Sequence, residues 1–224
     1  METEFSLREA AYDDIAEMVR VIFSATEASV FSQRSFPPSD PDSHTYYEEW
    51  LNKNLGDSSS HVALIQATPR SGSQEGTQSP DSGSANLANK PTIVGWARWV
   101  RKLPPAADIE RLVFTPSMYP SQSDGALAAR LFQTNYDQSR KIAGPNQHWH
   151  LSMIMVDMAY QRKGIGRMLM QYGVDMIDKD GWMATVNASE EGKGLYEAFG
   201  FQVVAKTDFE HGCVAHHMKR EARN

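Results

Sequence analysis

The chain has 224 residues, 41% hydrophobic and 22% charged, which suits one large domain around a substantial core. A net charge of −6 and a pI near 5.6 argue against nucleic acid as the main partner. The one cysteine, Cys213, excludes an internal disulfide, suits a reducing compartment, and reads as a small buried apolar residue.

The first residues, METEFSLREA, carry neither a basic nor an apolar leader pattern. No run approaches the roughly 18 apolar residues that a membrane span requires. The expectation is a soluble cytoplasmic protein with no membrane association.

Phe5–Arg8 reads as a short strand. Asp13 or Asp14 then caps a helix, with Glu17 in capping-box position and Ile15, Met18, Val19, Ile22 and Phe23 on its buried stripe. Residues 31–42 form a Pro-rich loop, whose Phe31 and Phe36 either line a pocket or pack on the core. His44–Leu55 follows as a second helix, and His61–Ala67 as a strand.

Residues 68–91 are rich in Ser, Gly, Gln and Pro and almost devoid of large apolar groups. Such a segment cannot bury enough surface to offset its ordering entropy, so a flexible insertion is expected there. Thr92–Arg101 resumes as a strand apolar on both faces, hence central in a sheet, with Gly95 marking a bulge or a close approach. Residues 102–121 make a Pro-punctuated crossing that contains Asp108, Glu110 and Arg111. Ser123 or Asp124 caps a helix that runs to Gly144-Pro145.

Leu151–Gly166, LSMIMVDMAYQRKGIG, is the most informative stretch. An apolar run from Leu151 to Val156 has the length of a strand buried on both faces. A turn follows, and then Ile165, Met168, Leu169, Tyr172 and Met176 recur at helical spacing. A helix start presents N–H groups with no internal partner and partial positive charge, which suits an anion. Gly164 and Gly166 let a phosphate approach that backbone, while Arg162 and Lys163 add charge at the rim. The P-loop and G-x-G-x-x-G patterns are both absent.

The pattern Gln161-Arg162-Lys163-Gly164-Ile165-Gly166 after a strand resembles the acyl-CoA pyrophosphate loop of the GNAT acyltransferase superfamily. Ala184–Phe201, ATVNASEEGKGLYEAFGF, is similar to that family's next strand and helix, which end in a LYE-x-x-GF sequence. The resemblance covers residues 5–218 and implies an α+β domain over 1–224. It further implies a mostly antiparallel sheet of about six or seven strands flanked by helices, with a splayed central parallel pair.

The resemblance also implies acetyl-CoA as co-substrate and an N-acetyltransferase acting by direct attack in a ternary complex. Pantetheine would lie between Met153–Val156 and Met183–Asn187, contacting backbone near Met155 and Val156. Tyr196 of the LYE segment would be the acid for the departing thiolate. Ser189 stands where many members carry a pantetheine-contacting Asn, and it doubles as a helix cap.

Strand alternation places Trp149, Leu151, Met153 and Met155 on one face and His150, Ser152, Ile154 and Val156 on the other. For the general base, His150, Glu110, Asp157 and a water relay stay open. His211, His216 and His217 lack metal spacing, so no metal is expected. The acceptor is a small-molecule or peptide amine, with the acidic balance favouring a cationic one, and the assembly is a monomer or homodimer. The alternative is a catalytically degenerate domain that binds acyl-CoA as a regulatory module.

Overall fold

The computed structural model describes residues 3–69, 91–104 and 112–223. Its single sheet has seven strands: β1 (Thr3–Glu9), β2 (Ser60–Pro69), β3 (Thr92–Lys102), β4 (His148–Val156), β5 (Met183–Ala188), β6 (Gln202–Asp208) and β7 (Val214–Arg220). Their spatial order is β1-β2-β3-β4-β5-β7-β6, and every neighbouring pair is antiparallel except β4–β5. The helices are α1 (Ile15–Ala25), α2 (Val30–Ser35), α3 (Pro41–Leu55), α4 (Gly125–Ala143), α5 (Ile165–Asp180) and α6 (Lys193–Glu197). This is the mixed α+β architecture expected from the sequence.

Two apolar cores lie on opposite faces of the sheet. Met18, Val19 and Ile22 of α1 and Tyr47 and Leu51 of α3 pack with Ala128 and Ala129 of α4 over Leu64 and Trp96. On the other face, Leu169, Met170, Val174 and Ile177 of α5 pack with Trp99, Trp149 and Leu151. Burial of each Leu, Ile, Val or Met side chain among them contributes about 1.5–3 kcal/mol.

Several boundaries differ from the sequence reading. Residues 30–35, expected as loop, form α2, because Ser29 Oγ accepts the Ser32 N–H and caps it. α3 begins at Pro41 rather than His44: Asp40 caps it through the Asp42 N–H, and proline suits the first helical position. Phe36 is buried among Tyr46, Tyr47, Tyr119 and Phe132, so it packs on the core. Asp14 makes no forward cap. Its carboxylate accepts the Ala11 N–H and pairs with Arg8, while Glu17 pairs with Arg20. Thr68 and Pro69 extend β2 opposite Glu4 and Thr3, so the insertion begins later than residue 68. Residues 70–90 lie outside the described residues, as do Asp108, Glu110 and Arg111.

The buried stripe of α5 is also rotated from the predicted one. Ile165, Leu169, Met170, Gly173, Val174 and Ile177 are buried, and Met168, Tyr172 and Met176 flank them half-buried. The cause is Gly173, where an added Cβ would lie 2.0 Å from Trp99 Cε2. A glycine that admits an indole is invisible to a hydrophobic period.

Candidate active site

β4 and β5 pair in parallel only from His148↔Met183 to Leu151↔Val186. Beyond that point β4 continues alone on that edge to Val156, so the central pair splays as the sequence implied. On the opposite edge, β3 pairs Arg98 with Met153 and Trp99 with Leu151, leaving Ser152 as an extra bulged residue. Ser152 through Val156 are all half-exposed although they occupy the fourth of seven strands. A central strand exposed in this way borders an open cleft.

The bulge corrects the strand alternation. Trp149, Leu151, Ile154 and Val156 share the α5 face, whereas Met153 and Met155 lie on the α1 face. One inserted residue exchanges the faces of everything after it.

Register decides which amides look into the gap. Asp157 N–H donates to Val94 O, which makes the Val156–Gly95 pair a non-hydrogen-bonded one. The backbone groups of Val156, and of Ile154 two residues earlier, therefore face away from β3 and into the splay. Those of Met155 pair with Trp96. Of the two positions singled out from the sequence, Val156 turns its backbone towards the splay and Met155 offers its backbone to β3, while Ile154 also faces the splay. The missing information was the register, which sequence spacing does not supply.

The turn after β4 is rich in unpartnered backbone donors and basic side chains. Gly164 has φ +86° and precedes α5, and Arg162 also has a positive φ of 61°. Six successive N–H groups, from Arg162 to Arg167, have no hydrogen-bond acceptor among the described residues. Arg162, Lys163 and Arg167 are exposed there, and none has an ion-pair partner among the described residues. Lys163 lies over the Tyr160 ring and Arg167 over that of Phe199. Arg167 was not singled out from sequence; a cation in the first turn of a helix after a Gly-rich loop is the signal. The Gln161 side chain donates back to Val156 O at 3.3 Å, bracing the turn against the strand. Ile165 is buried beneath it, and a Cβ on Gly95 would approach Ile165 Cγ2 to 2.8 Å. Both sequence readings of Gly95 hold, since β2 and β3 also shift register beside it.

Asp157 is 6% exposed and salt-bridged to Arg20 of α1, whose other terminal nitrogen donates to Ile93 O at 2.7 Å. Ser24 accepts the Met158 N–H, so α1 and the turn are held together. Burial works against the Asp157 carboxylate, but Arg20 and the Ala159 N–H outweigh it and keep its pKa below the usual range. His150 Nδ1 lies 2.8 Å from Thr185 Oγ1, on the zipped half of β4. Burial, with Lys102, His148 and Arg98 nearby, takes its pKa down to about 3.

Tyr196 of α6 is 7% exposed, edge-on to Phe201, and its hydroxyl has no hydrogen-bond partner among the described residues. Burial raises its pKa and keeps it protonated. Ser189 Oγ accepts the Gly192 N–H at 3.2 Å, which closes the turn leading into α6, whereas the N-cap position of that helix is Gly192 and not Ser189 as expected. Cys213 is buried and its thiol pKa raised by that burial. His217 lies between Asn187 Oδ1 and Thr207 Oγ1, and His216 on the opposite face pairs with Glu190. No group of three metal-ligating side chains is assembled among the described residues. No helix among them is long and apolar enough to cross a membrane.

Residues 125–222 match the profile of the Acetyltransferase (GNAT) domain. Over these residues the chain is similar to GNAT acetyltransferase domains. Solved structures share its fold at low identity. A histone acetyltransferase HPA2 and related acetyltransferase from Corynebacterium glutamicum superposes with TM-score 0.59 at 15% identity, over 98% of this chain and 97% of the other. A mosquito arylalkylamine N-acetyltransferase-like protein gives 0.59 at 16%, over 97% and 99%. An N-acetyltransferase from Staphylococcus aureus gives 0.51 at 10%, over 98% and 99%. No curated protein matches the chain. The matched residues hold β4, the turn after it, α5, β5 and α6, so the family match and the site geometry fall on the same part of the chain.

Proposed function

We propose that this GNAT-like domain is an acetyl-CoA-dependent N-acetyltransferase that acetylates a primary amine by direct attack in a ternary complex. The observation that carries the reading is the pairing of six unpartnered N–H groups at the start of α5 with the splay beside Ile154 and Val156. The first set suits a pyrophosphate, with Arg162, Lys163 and Arg167 around it. The second suits the amides of a pantetheine arm, which supply the strand partner that β5 withholds. Gln161, Gly164, Ile165 and Gly166 shape the turn, and Ser189 fixes the loop that leads to Tyr196.

In this reading the amine nitrogen attacks the thioester carbonyl, and the resulting oxyanion is stabilised by strand amides in the gap. Collapse breaks the carbon–sulfur bond. The Tyr196 hydroxyl gives its proton to the CoA thiolate and recovers one from the solvent. The attacking amine must first lose a proton, and a water relay fits that step best: His150 and Asp157 both have pKa values held low, which makes them weak bases. That lack of an evident base also favours one rival, a domain that binds acetyl-CoA without turnover.

Thermal unfolding with acetyl-CoA, with ATP as control, tests the reading. A specific ligand at about 100 times its Kd adds about 2.7 kcal/mol of stability, which raises the midpoint by several degrees. No shift at millimolar acetyl-CoA refutes the site; a shift without CoA release from any amine leaves the binding module.

A further inference from the structure

The α1–α4 face of the sheet carries a polar stripe that the acetyl-transfer chemistry above does not use. It crosses β3, β4 and β5 through Arg98, Lys102, His148, His150, Ser152 and Thr185, which the strand register places on one face. Arg98 is its centre, at 7% exposure. Its Nε donates to Ser60 Oγ at 2.8 Å and its Nη1 to Ser152 Oγ at 3.0 Å. Its Nη2 lies 3.5 Å from Asp57, a half-exposed and loose partner. The Trp50 ring of α3 covers the guanidinium at 5.4 Å.

A guanidinium has five N–H donors. Two make hydrogen bonds to neutral hydroxyls and one is directed at Asp57, so two remain without a partner among the described residues. Burial lowers the Arg98 pKa to about 10, a measure of how poorly its charge is compensated. Lys102 raises the local positive potential further, whereas His148 and His150, held below their usual pKa by burial and these cationic neighbours, line the stripe as neutral rings. Asp57 is the one carboxylate facing Arg98 and Lys102 among the described residues. A buried guanidinium with so little compensation, with Lys102 exposed at the rim beside it, is not a by-product of composition in a chain of net charge −6. The stripe is also open: Ser152 and His150 are half-exposed, and Ser152 is the bulge at which the splay begins.

We propose that Arg98, supported by Lys102, binds a carboxylate of the acceptor, so that the amine substrate is an amino acid or another carboxylate-bearing amine. This reverses the cationic acceptor suggested by overall charge, because local potential and not net charge selects a ligand in a cleft. An α-carboxylate held by Arg98 beside Ser152 puts the neighbouring amino group at the mouth of the splay. Half-buried Met153 and Met155 and the ring of Trp50 flank that position and suit an apolar side chain. A planar guanidinium pairs with a carboxylate through two parallel bonds, which also fixes orientation. The inference rests on the acetyltransferase reading for the identity of the acceptor.

The test compares phenylalanine with phenethylamine, and methionine with 3-methylthiopropylamine, as acceptors in a CoA-release assay. In parallel, N-acetylphenylalanine and N-acetylphenethylamine are titrated into the CoA-loaded protein and followed by thermal shift. The expected result is a preference for the carboxylate member of about 10- to 100-fold, the range of a charge-assisted bond. Arg98→Gln removes it, and Lys102→Gln, at the exposed rim, reduces it a few-fold while sparing the fold. In both variants the thermal shift caused by acetyl-CoA alone is unchanged, so failure of the cofactor reading is seen separately. Equal or better handling of the decarboxylated amines overturns the proposal. So does the absence of any carboxylate-dependent shift in the CoA-loaded protein, even if no amine is turned over.

Discussion

From His148 to Leu151, β4 is hydrogen-bonded on both edges; from Ser152 to Val156 it keeps β3 and leaves β5. By sequence the open half is the more apolar, Met-Ile-Met-Val after Ser152 against Trp149 and Leu151 among histidines, and neither half contains proline or glycine. Their pairing differs at the one bulged residue, Ser152. In the zipped half, Trp149 and Leu151 are buried and the strand serves as core. In the open half every residue is half-exposed, and backbone groups of Ile154 and Val156 have no strand to pair with. Pairing that would have stabilised the fold is withheld along the open half, which is where the proposed site lies.

The largest effect is expected where the zipped half is held. Gly173 of α5 faces Trp99, which pairs with Leu151. Gly173→Ala puts a methyl group 2.0 Å from the indole and forces α5 off the sheet. Overpacking of this kind costs about 1–3 kcal/mol and more when backbone must move. Thermal unfolding should therefore show a drop of many degrees, and an unaltered midpoint would mean that α5 does not dock as described. In the open half the sharpest probe is Tyr196→Phe. Removing a donor used only at thiolate departure should lower kcat about 100-fold with little change in acetyl-CoA affinity. Unchanged turnover removes Tyr196 from the reaction and leaves it as a core aromatic beside Phe201.

The strand from Leu151 to Val156 and the turn after it were legible in the chain because each rests on local chemistry. An apolar run, two glycines and a return to helical spacing suffice to read strand, turn and helix, and Gln161–Gly166 fell where the unpartnered amides are found. What was hidden depends on contacts distant in sequence. Serine is an ordinary strand residue, and nothing near Ser152 announces a bulge, so the face assignment of Met153 to Val156 inverted. Gly173 carries no hydrophobic signal, yet it sets the rotation of α5. The α2 helix lay in a stretch whose prolines suggested loop, although Ser29 and Asp40 provide its cap and that of the next helix. Arg98 gains its meaning only when Ser60, Ser152 and Trp50, from three separate elements, converge on it.

The two halves should also part in their response to acid. His148 and His150 of the zipped half, like His217 beside β5, have pKa values lowered chiefly by burial, that of His150 to about 3. The folded state thus binds these protons less well than the unfolded chain, whose histidines titrate near 6.5. The stability they contribute is fully present above that value and is lost as pH falls from about 6.5 towards 3. For His150 the loss is at most about 2 kcal/mol by pH 5. Unfolding midpoints at pH 7.5 and 5.0 should differ less in His150→Asn than in the parent. An equal difference would show that His150 accepts its proton without cost. Acetyl transfer itself should show no inflection from His150 above pH 5, since the residue is already neutral there.

The smallest effect on stability, and the most direct test of the open half, is at Gly164. Its φ of +86° costs an L-residue about 1–2 kcal/mol, while an added Cβ would meet nothing within 4 Å. Gly164→Ala is therefore a change in backbone preference with no steric component. It should destabilise the free protein by about 1 kcal/mol and weaken acetyl-CoA about 5- to 10-fold, as relaxation of φ turns the first amides of α5 away from the pyrophosphate. Gly164→Asn should recover part of both losses, because asparagine tolerates the left-handed region. Calorimetric titration of acetyl-CoA into the three proteins separates the terms. If the alanine form loses stability but binds acetyl-CoA like the parent, the amides of residues 162–167 do not hold the ligand, and the splay of β4 must bind it alone.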